Sequence, residues 1–114
     1  MATIYEMHLQ DEPFALILSG RKTIEMRLNK PGRENISKDD IIVFTNNNGD
    51  KLKTVVLGVN KFPSFEALYD SFDKTKLGYL PNQFANPKDM LKYYSIENIE
   101  KYGVLAIEIK VIDK

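Results

Sequence analysis

The chain has 114 residues, 43% hydrophobic and 28% charged, and its 16 basic and 16 acidic side chains cancel to a formal net charge of zero. That length fits one domain spanning residues 1–114, and neutrality argues against coating long nucleic acid through a general positive field. Cysteine is absent, which excludes disulfides, zinc–thiolate sites and thiol nucleophiles and suits a reducing compartment.

The N-terminal MATIYEMHLQ lacks a basic stretch followed by an apolar one, so no signal peptide is expected there. No apolar run approaches the roughly 20 residues that cross a bilayer. A cytoplasmic location and no membrane partner are the expectation.

Residues 3–9 alternate, with Tyr5, Met7 and Leu9 on one face and Ile4, Glu6 and His8 on the other, which predicts a strand. The period then changes. Asp11 is placed to cap a helix, Pro13 is tolerated in a first turn, and Gly20 is a natural terminator. Phe14, Ile17 and Leu18 form its core-facing stripe. Residues 22–28 return to period two, with Ile24, Met26 and Leu28 opposite Thr23, Glu25 and Arg27. Pro31 and Gly32 break this strand.

Residues 41–46 and 52–59 flank Asn48-Gly49 and predict a hairpin. Residues 63–72 predict a helix capped by Ser64, with Phe65, Leu68, Tyr69 and Phe72 along one side. Residues 73–86 read as an ordered loop. Asn86-Pro87 opens a short helix through Tyr94, Ser95 caps one more turn closed by Gly103, and the chain ends on an alternating strand. Five or so strands with short interspersed helices predict an α+β protein built on a small mixed barrel.

The informative stretch is GRKTIEMRL at 20–28. Residues 21–33 hold Arg21, Lys22, Arg27, Lys30 and Arg33 against Glu25 alone, a local charge of +4 that leaves −4 for the rest of the chain. Two readings of the Thr23, Glu25 and Arg27 face stay open on spacing alone. It is the solvated side of a half-buried strand, or it lines a cleft. In a cleft, Lys22 and Arg27 would supply donors and Glu25, ionised between two cations, would accept. A local basic patch of this kind suits a phosphate or a short strand.

The segment Gly20-x-Lys22-x-x-Glu25-x-Arg27 resembles the G-x-K-x-x-E-x-R signature of the ASCH domain family. The flanks agree in order: His8-Leu9-Gln10-Asp11-Glu12-Pro13-Phe14 before it, Asp40-Ile41-Ile42-Val43-Phe44 after it, and Tyr102-Gly103-Val104-Leu105-Ala106-Ile107 near the end. The likeness is to small stand-alone bacterial and archaeal members and spans about residues 4–111.

The resemblance implies a PUA-like barrel of about five to six strands with helices at its rim. Ile24, Met26 and Leu28 would seal the barrel while Lys22, Thr23, Glu25 and Arg27 line a ligand cleft. It also implies RNA or a nucleotide-like small molecule as partner. One subgroup of the family hydrolyses acylated cytidines with a lysine, a threonine and a glutamate. The lysine corresponds to Lys22, Thr23 sits two residues before the threonine's position (Glu25 here), and the glutamate has no clear counterpart, Asp89 being the nearest carboxylate in the 86–94 segment. Another member cuts single-stranded RNA. If the protein is an enzyme, Lys22 or Glu25 would act as general base and Thr23 as nucleophile or orienter. A non-catalytic protein-interaction domain is a further alternative.

Asn46 ends its strand where it can project into the cleft or simply build the Asn46-Asn47-Asn48 turn. Tyr94, with Tyr93 and Tyr102, can stack on bases or pack in the core. His8 is the only histidine, which leaves no His pair for acid–base or metal chemistry. No P-loop, dinucleotide fingerprint or metal-ligand cluster is present, so neither cofactor nor metal is expected.

Overall fold

Five alternating segments become strands: β1 (Ile4–His8), β2 (Ile24–Leu28), β3 (Ile41–Thr45), β4 (Lys51–Phe62) and β5 (Val104–Asp113). In the computed structural model, which describes residues 2–113, they form one sheet in the order β1-β3-β4-β5-β2. β1 runs parallel to β3, and the other neighbouring pairs are antiparallel. The sheet curls into a half-barrel with short helices, the expected α+β architecture. Its two edges, β1 and β2, are not paired with each other.

The β3–β4 hairpin turns on Asn46. Its Oδ1 accepts the N–H groups of Asn48 and Asp50, its Nδ2 donates to Asp50 Oδ2, and Gly49 takes a φ of +85°. A side-chain amide that satisfies two turn N–H groups, followed by a glycine free to enter the left-handed region, is a sufficient reason for the chain to reverse here.

Three helices follow the predicted positions: α1 (Asp11–Leu18), α2 (Phe65–Ser71) and α3 (Ile96–Tyr102). Ser64 Oγ accepts from Ala67 N and Ser95 Oγ from Asn98 N, each satisfying a donor that the helix leaves free. Gly103, at φ +74°, ends α3. Within residues 73–94 two 3-10 segments, Lys74–Leu77 and Pro87–Lys92, are capped by Asp73 and Asn86.

Asp11 does not cap α1. Gln10 occupies that position without a side-chain bond, and Asp11 Oδ1 instead accepts Asn47 N–H at 3.0 Å. Proline is tolerated throughout a first turn, so Pro13 did not fix where the helix begins. Leu18, expected in the core stripe, is exposed because α1 ends there, whereas Phe14 and Ile17 are buried.

The apolar residues divide into two cores. One joins β1, β3, β4, β5 and α1 through Met7, Ile17, Phe44, Leu52 and Ile107. The other joins β2 and β5 to α2 and the 3-10 segments through Ile24, Met26, Leu28, Phe65 and Met90. β5 serves both, and Val104, Leu105, Ala106 and Ile107 are all fully buried.

Glu25 pairs with Ile107 and Arg27 with Leu105, and directly paired residues share a face. Glu25 and Arg27 therefore lie on the side of the first core, and Ile24, Met26 and Leu28 on the side of the second. This corrects the expectation that the apolar face of β2 seals the barrel. That face packs on the layer of α2 and the 3-10 segments, and the charged face points to the half-barrel's own interior.

Candidate ligand cleft

Backbone bonds fix the signature segment before any side chain acts. Gly20 adopts φ +83°, Lys22 N–H donates to Leu16 O at the end of α1, and Thr23 N–H donates to Lys76 O. Thr23 O in turn accepts Ile109 N–H. The chain is thus held to α1, to the first 3-10 segment and to β5 within a few residues.

Lys22 and Glu25 are almost wholly buried, at 8% and 3% exposure. Lys22 Nζ lies 3.2 Å from Glu25 Oε1, and Arg27 Nε donates to Glu25 Oε2 at 2.8 Å. Burial pushes the Glu25 carboxyl up, but the Lys22 and Arg27 charges and their hydrogen bonds outweigh it and hold the pKa below the usual glutamate value.

Arg27 Nη2 also donates to His8 O at 2.8 Å. That bond reaches from the β2 edge to the β1 edge, so a side chain spans the gap that strand pairing leaves open.

A cleft of about 650 Å³ opens at this gap. Lys22, Glu25 and Arg27 line it together with His8–Gln10 and residues of α1. Its volume falls within the roughly 300–1,000 Å³ typical of ligand sites. Arg33, half-buried, lies within electrostatic reach: its own burial, and then Arg27, pull its pKa below the ordinary guanidinium value, and Tyr94 and Glu25 act on it too. Among the described residues no carboxylate forms an ion pair with Arg33. Lys22 and Arg27 thus share one carboxylate. Arginine offers five N–H donors and lysine three. Arg27 keeps three beyond its bonds to Glu25 and His8, and Lys22 keeps two beyond Glu25.

A second polar group lines the same cleft from α2 and residues 79–89. Tyr79 O–H donates to Asp89 Oδ2 at 2.8 Å, and the Tyr69 and Tyr79 hydroxyls lie 2.9 Å apart. Burial first, then these bonds and the Asp89 charge, raise the Tyr79 pKa. Tyr69 is raised chiefly by burial. Sequence periodicity placed Tyr69 in a helix stripe and composition placed Arg33 in a basic stretch, but neither they nor Tyr79 were assigned to the site, because two tyrosines ten residues apart meet only through the turns between them.

The predicted residues fare unequally. Lys22, Glu25, Arg27 and Tyr94 come together at the cleft, with Tyr94 stacked on Phe65 at a centroid distance of 6.0 Å. Thr23 is exposed and does not line it, since it precedes β2 and its backbone is engaged on both sides. Asn46 does not line it either: its side chain is spent on the hairpin turn. His8 sits at the rim, its ring Nε2 2.8 Å from Asn47 Oδ1. Tyr93 is exposed at the cleft, and Tyr102 packs against the second core. Among the described residues no cluster of three His, Asp or Glu side chains is arranged to hold a metal ion. No helix there is long and apolar enough to cross a membrane.

A curled five-stranded half-barrel whose edges are bridged beside a charged cleft defines a PUA-like fold. The chain belongs to the ASCH domain family, whose model matches residues 7–113. Among solved structures it is similar to hypothetical protein PH0355, at 35% identity over 96% of this chain and 100% of that one, with a TM-score of 0.84. Protein PF0455 from Pyrococcus furiosus is 30% identical over 98% and 100% of the two chains, with a TM-score of 0.73. An ASCH domain from Lactobacillus crispatus, 17% identical over 94% and 79%, shares the fold at a TM-score of 0.66. No curated protein matches the chain.

Proposed function

We propose that this ASCH domain binds single-stranded RNA, or a nucleotide-like ligand derived from it, with a phosphate held at Lys22 and Arg27 and supported by Arg33. The observation that carries this reading is the Lys22–Glu25–Arg27 cluster at a cleft of ligand size: two cations share one buried carboxylate and keep donors beyond those bonds, with Arg33 within electrostatic reach. Glu25 keeps the two nearer cations in place while its own charge is spent on them. Arginine matches phosphate with parallel N–H donors, and burial strengthens the attraction by excluding water. Tyr93 and Tyr94 add flat surfaces on which a base can stack, worth about 1–3 kcal/mol per base. The cysteine-free chain suits action in the reducing cytoplasm.

The neutral net charge limits this to a local contact. Each phosphate neutralised on a single strand contributes a slope of about −0.7 to log K against log salt. One phosphate held at Lys22 and Arg27 then gives about −0.7, far shallower than a long basic groove would. The test is an amide-shift titration with a short mixed-sequence single-stranded RNA at several salt concentrations. Saturable shifts centred on residues 20–28 with that slope are expected. Arg33→Ala, outside the Glu25 ion pairs, is expected to weaken binding severalfold with the fold intact. Unchanged affinity in both Arg33→Ala and Lys22→Ala/Arg27→Ala, with folding verified by the same spectra, would remove the reading.

A further inference from the structure

The phosphate site leaves Tyr69, Tyr79 and Asp89 without a role, yet all three line the cleft and are joined by hydrogen bonds. The direction of those bonds is determined. Tyr79 has a single hydroxyl proton and gives it to Asp89 Oδ2, so the 2.9 Å contact between the tyrosines must be Tyr69 donating to Tyr79. Both hydroxyl protons are committed. The chain ends on a carboxylate with lone pairs to spare, so this part of the cleft accepts hydrogen bonds and has none of these protons to give. The other donors on this side, Lys92 and the Gln83 amide, belong to exposed side chains that water already serves.

The two polar groups are separate. No hydrogen bond or ion pair joins the Lys22–Glu25–Arg27 cluster to the Tyr69–Tyr79–Asp89 chain among the described residues. Tyr93 lines the cleft together with members of both groups, its ring exposed and 6.4 Å from that of Tyr94.

Resting on the phosphate reading, we infer that the cleft selects nucleotides whose base carries an amino group: the phosphate lies at Lys22 and Arg27, the base near Tyr93, and Asp89, oriented by Tyr79 and Tyr69, accepts the amino N–H. A carboxylate accepts from the cytosine amino group, and the adenine and guanine amino groups offer it the same donor. Uracil presents one N–H between two carbonyl oxygens, which a carboxylate repels. The discrimination rests on Asp89, with Tyr79 and Tyr69 as positioning residues.

The experiment is a set of titrations with cytidine, adenosine, guanosine and uridine 5′-monophosphates, followed by amide shifts. The wild type is expected to bind the three amino-bearing nucleotides about fivefold to tenfold more tightly than uridine monophosphate, the range of one net hydrogen bond. Asp89→Asn, which supplies donor and acceptor alike, is expected to bring all four within about twofold. Tyr79→Phe is expected to reduce the preference in part. Arg33→Ala should weaken all four by a common factor and leave the ranking intact.

Equal binding of all four by the wild type, or a ranking that survives Asp89→Asn, overturns the inference while leaving the phosphate site standing. A ranking lost in Asp89→Asn with no effect of Arg33→Ala, Lys22→Ala or Arg27→Ala would sustain Asp89 and remove the phosphate site. No binding of any of the four overturns the inference, and the RNA titration then decides the phosphate reading separately.

Discussion

The Lys22–Glu25–Arg27 cluster and the Tyr69–Tyr79–Asp89 chain line one cleft but are held there by different physics. The first is charged, nearly dry and tied into the sheet: Arg27 reaches the opposite edge strand at His8 O, and Glu25 and Arg27 are paired with Ile107 and Leu105, respectively, of the doubly buried β5. The second is made of half-buried side chains from short helices and turns. Removing a member of the first leaves charge stranded in a low-dielectric interior, whereas water can replace a lost partner in the second. One group is thus part of the scaffold as well as the site, and the other can be altered with the scaffold intact.

The sharpest way to break this contrast is to remove the shared carboxylate. Glu25→Ala leaves Lys22 and Arg27 facing each other without compensation, and a destabilisation of about 3–5 kcal/mol is expected. Tyr79→Phe, by comparison, should lower stability by about 1 kcal/mol, the net worth of a typical hydrogen bond. Denaturant unfolding of both variants checks the pair. Equal losses would show that the cluster does not brace the half-barrel.

Acid pH probes the same asymmetry without mutation. Glu25 is depressed in the folded protein, so the unfolded chain takes up its proton first as pH falls. The stability that Glu25 contributes is fully present above about 4.3, the pKa of an unfolded glutamate, and is lost as pH drops through the lower folded value. Asp40 adds in the same direction: it accepts Thr3 N–H and Ser37 N–H and Oγ–H, and these bonds lower its pKa. Stability is expected to fall below pH 4.3 with a slope of up to about 1.4 kcal/mol per pH unit for each group. Glu25→Gln should flatten that slope and Asp40→Asn should flatten what remains; a Glu25→Gln profile parallel to wild type would show that Glu25 is not depressed by its partners.

Gly78 lies beside Lys22 where the two regions meet, and it gives the next effect in size. Gly78 has φ +108°, and a Cβ there would lie 3.4 Å from Leu16 Cδ1 and from Lys22 Cδ. The contact is tolerable, but the conformation is not one a side chain takes readily. Gly78→Ala is expected to cost about 1–2 kcal/mol through the backbone alone. Thermal unfolding measures it. A Gly78→Ala chain as stable as wild type would mean that the 79–89 segment shifts freely relative to Lys22, and the two groups would then not form one rigid cleft.

The same division marks what sequence could and could not supply. Strands announced themselves by alternation, the hairpin by Asn48-Gly49, and two helix starts by Ser64 and Ser95, because each signal is local and its physics acts within a few residues. Glu25 and Arg27 were legible together through their spacing on one strand, and Lys22 joined them through the Gly20-x-Lys22-x-x-Glu25-x-Arg27 signature. Which core each face of β2 meets was not, since that depends on β5 beside it and on helices far along the chain. Tyr69, Tyr79 and Asp89 carry no common period and converge only through the 3-10 turns. Arg33 was legible as part of a basic stretch, but that its charge reaches Arg27 and Tyr94 follows only from the fold.

Thr23 yields the smallest expected effect and tests where the site ends. Strand parity put it with Glu25 and Arg27, but parity holds only within a paired strand, and β2 begins at Ile24. The Thr23 backbone serves Lys76 O and Ile109 N–H while its side chain lies exposed, away from the cleft lining. Thr23→Val keeps the branched shape and removes the hydroxyl, so stability should stay within about 0.5 kcal/mol and affinity for the short RNA should be unchanged. A loss of affinity greater than threefold would place the hydroxyl at the ligand. The bound strand would then have to run past Lys22 and out over the start of β2, and the cleft between the two edge strands would be only part of the binding surface.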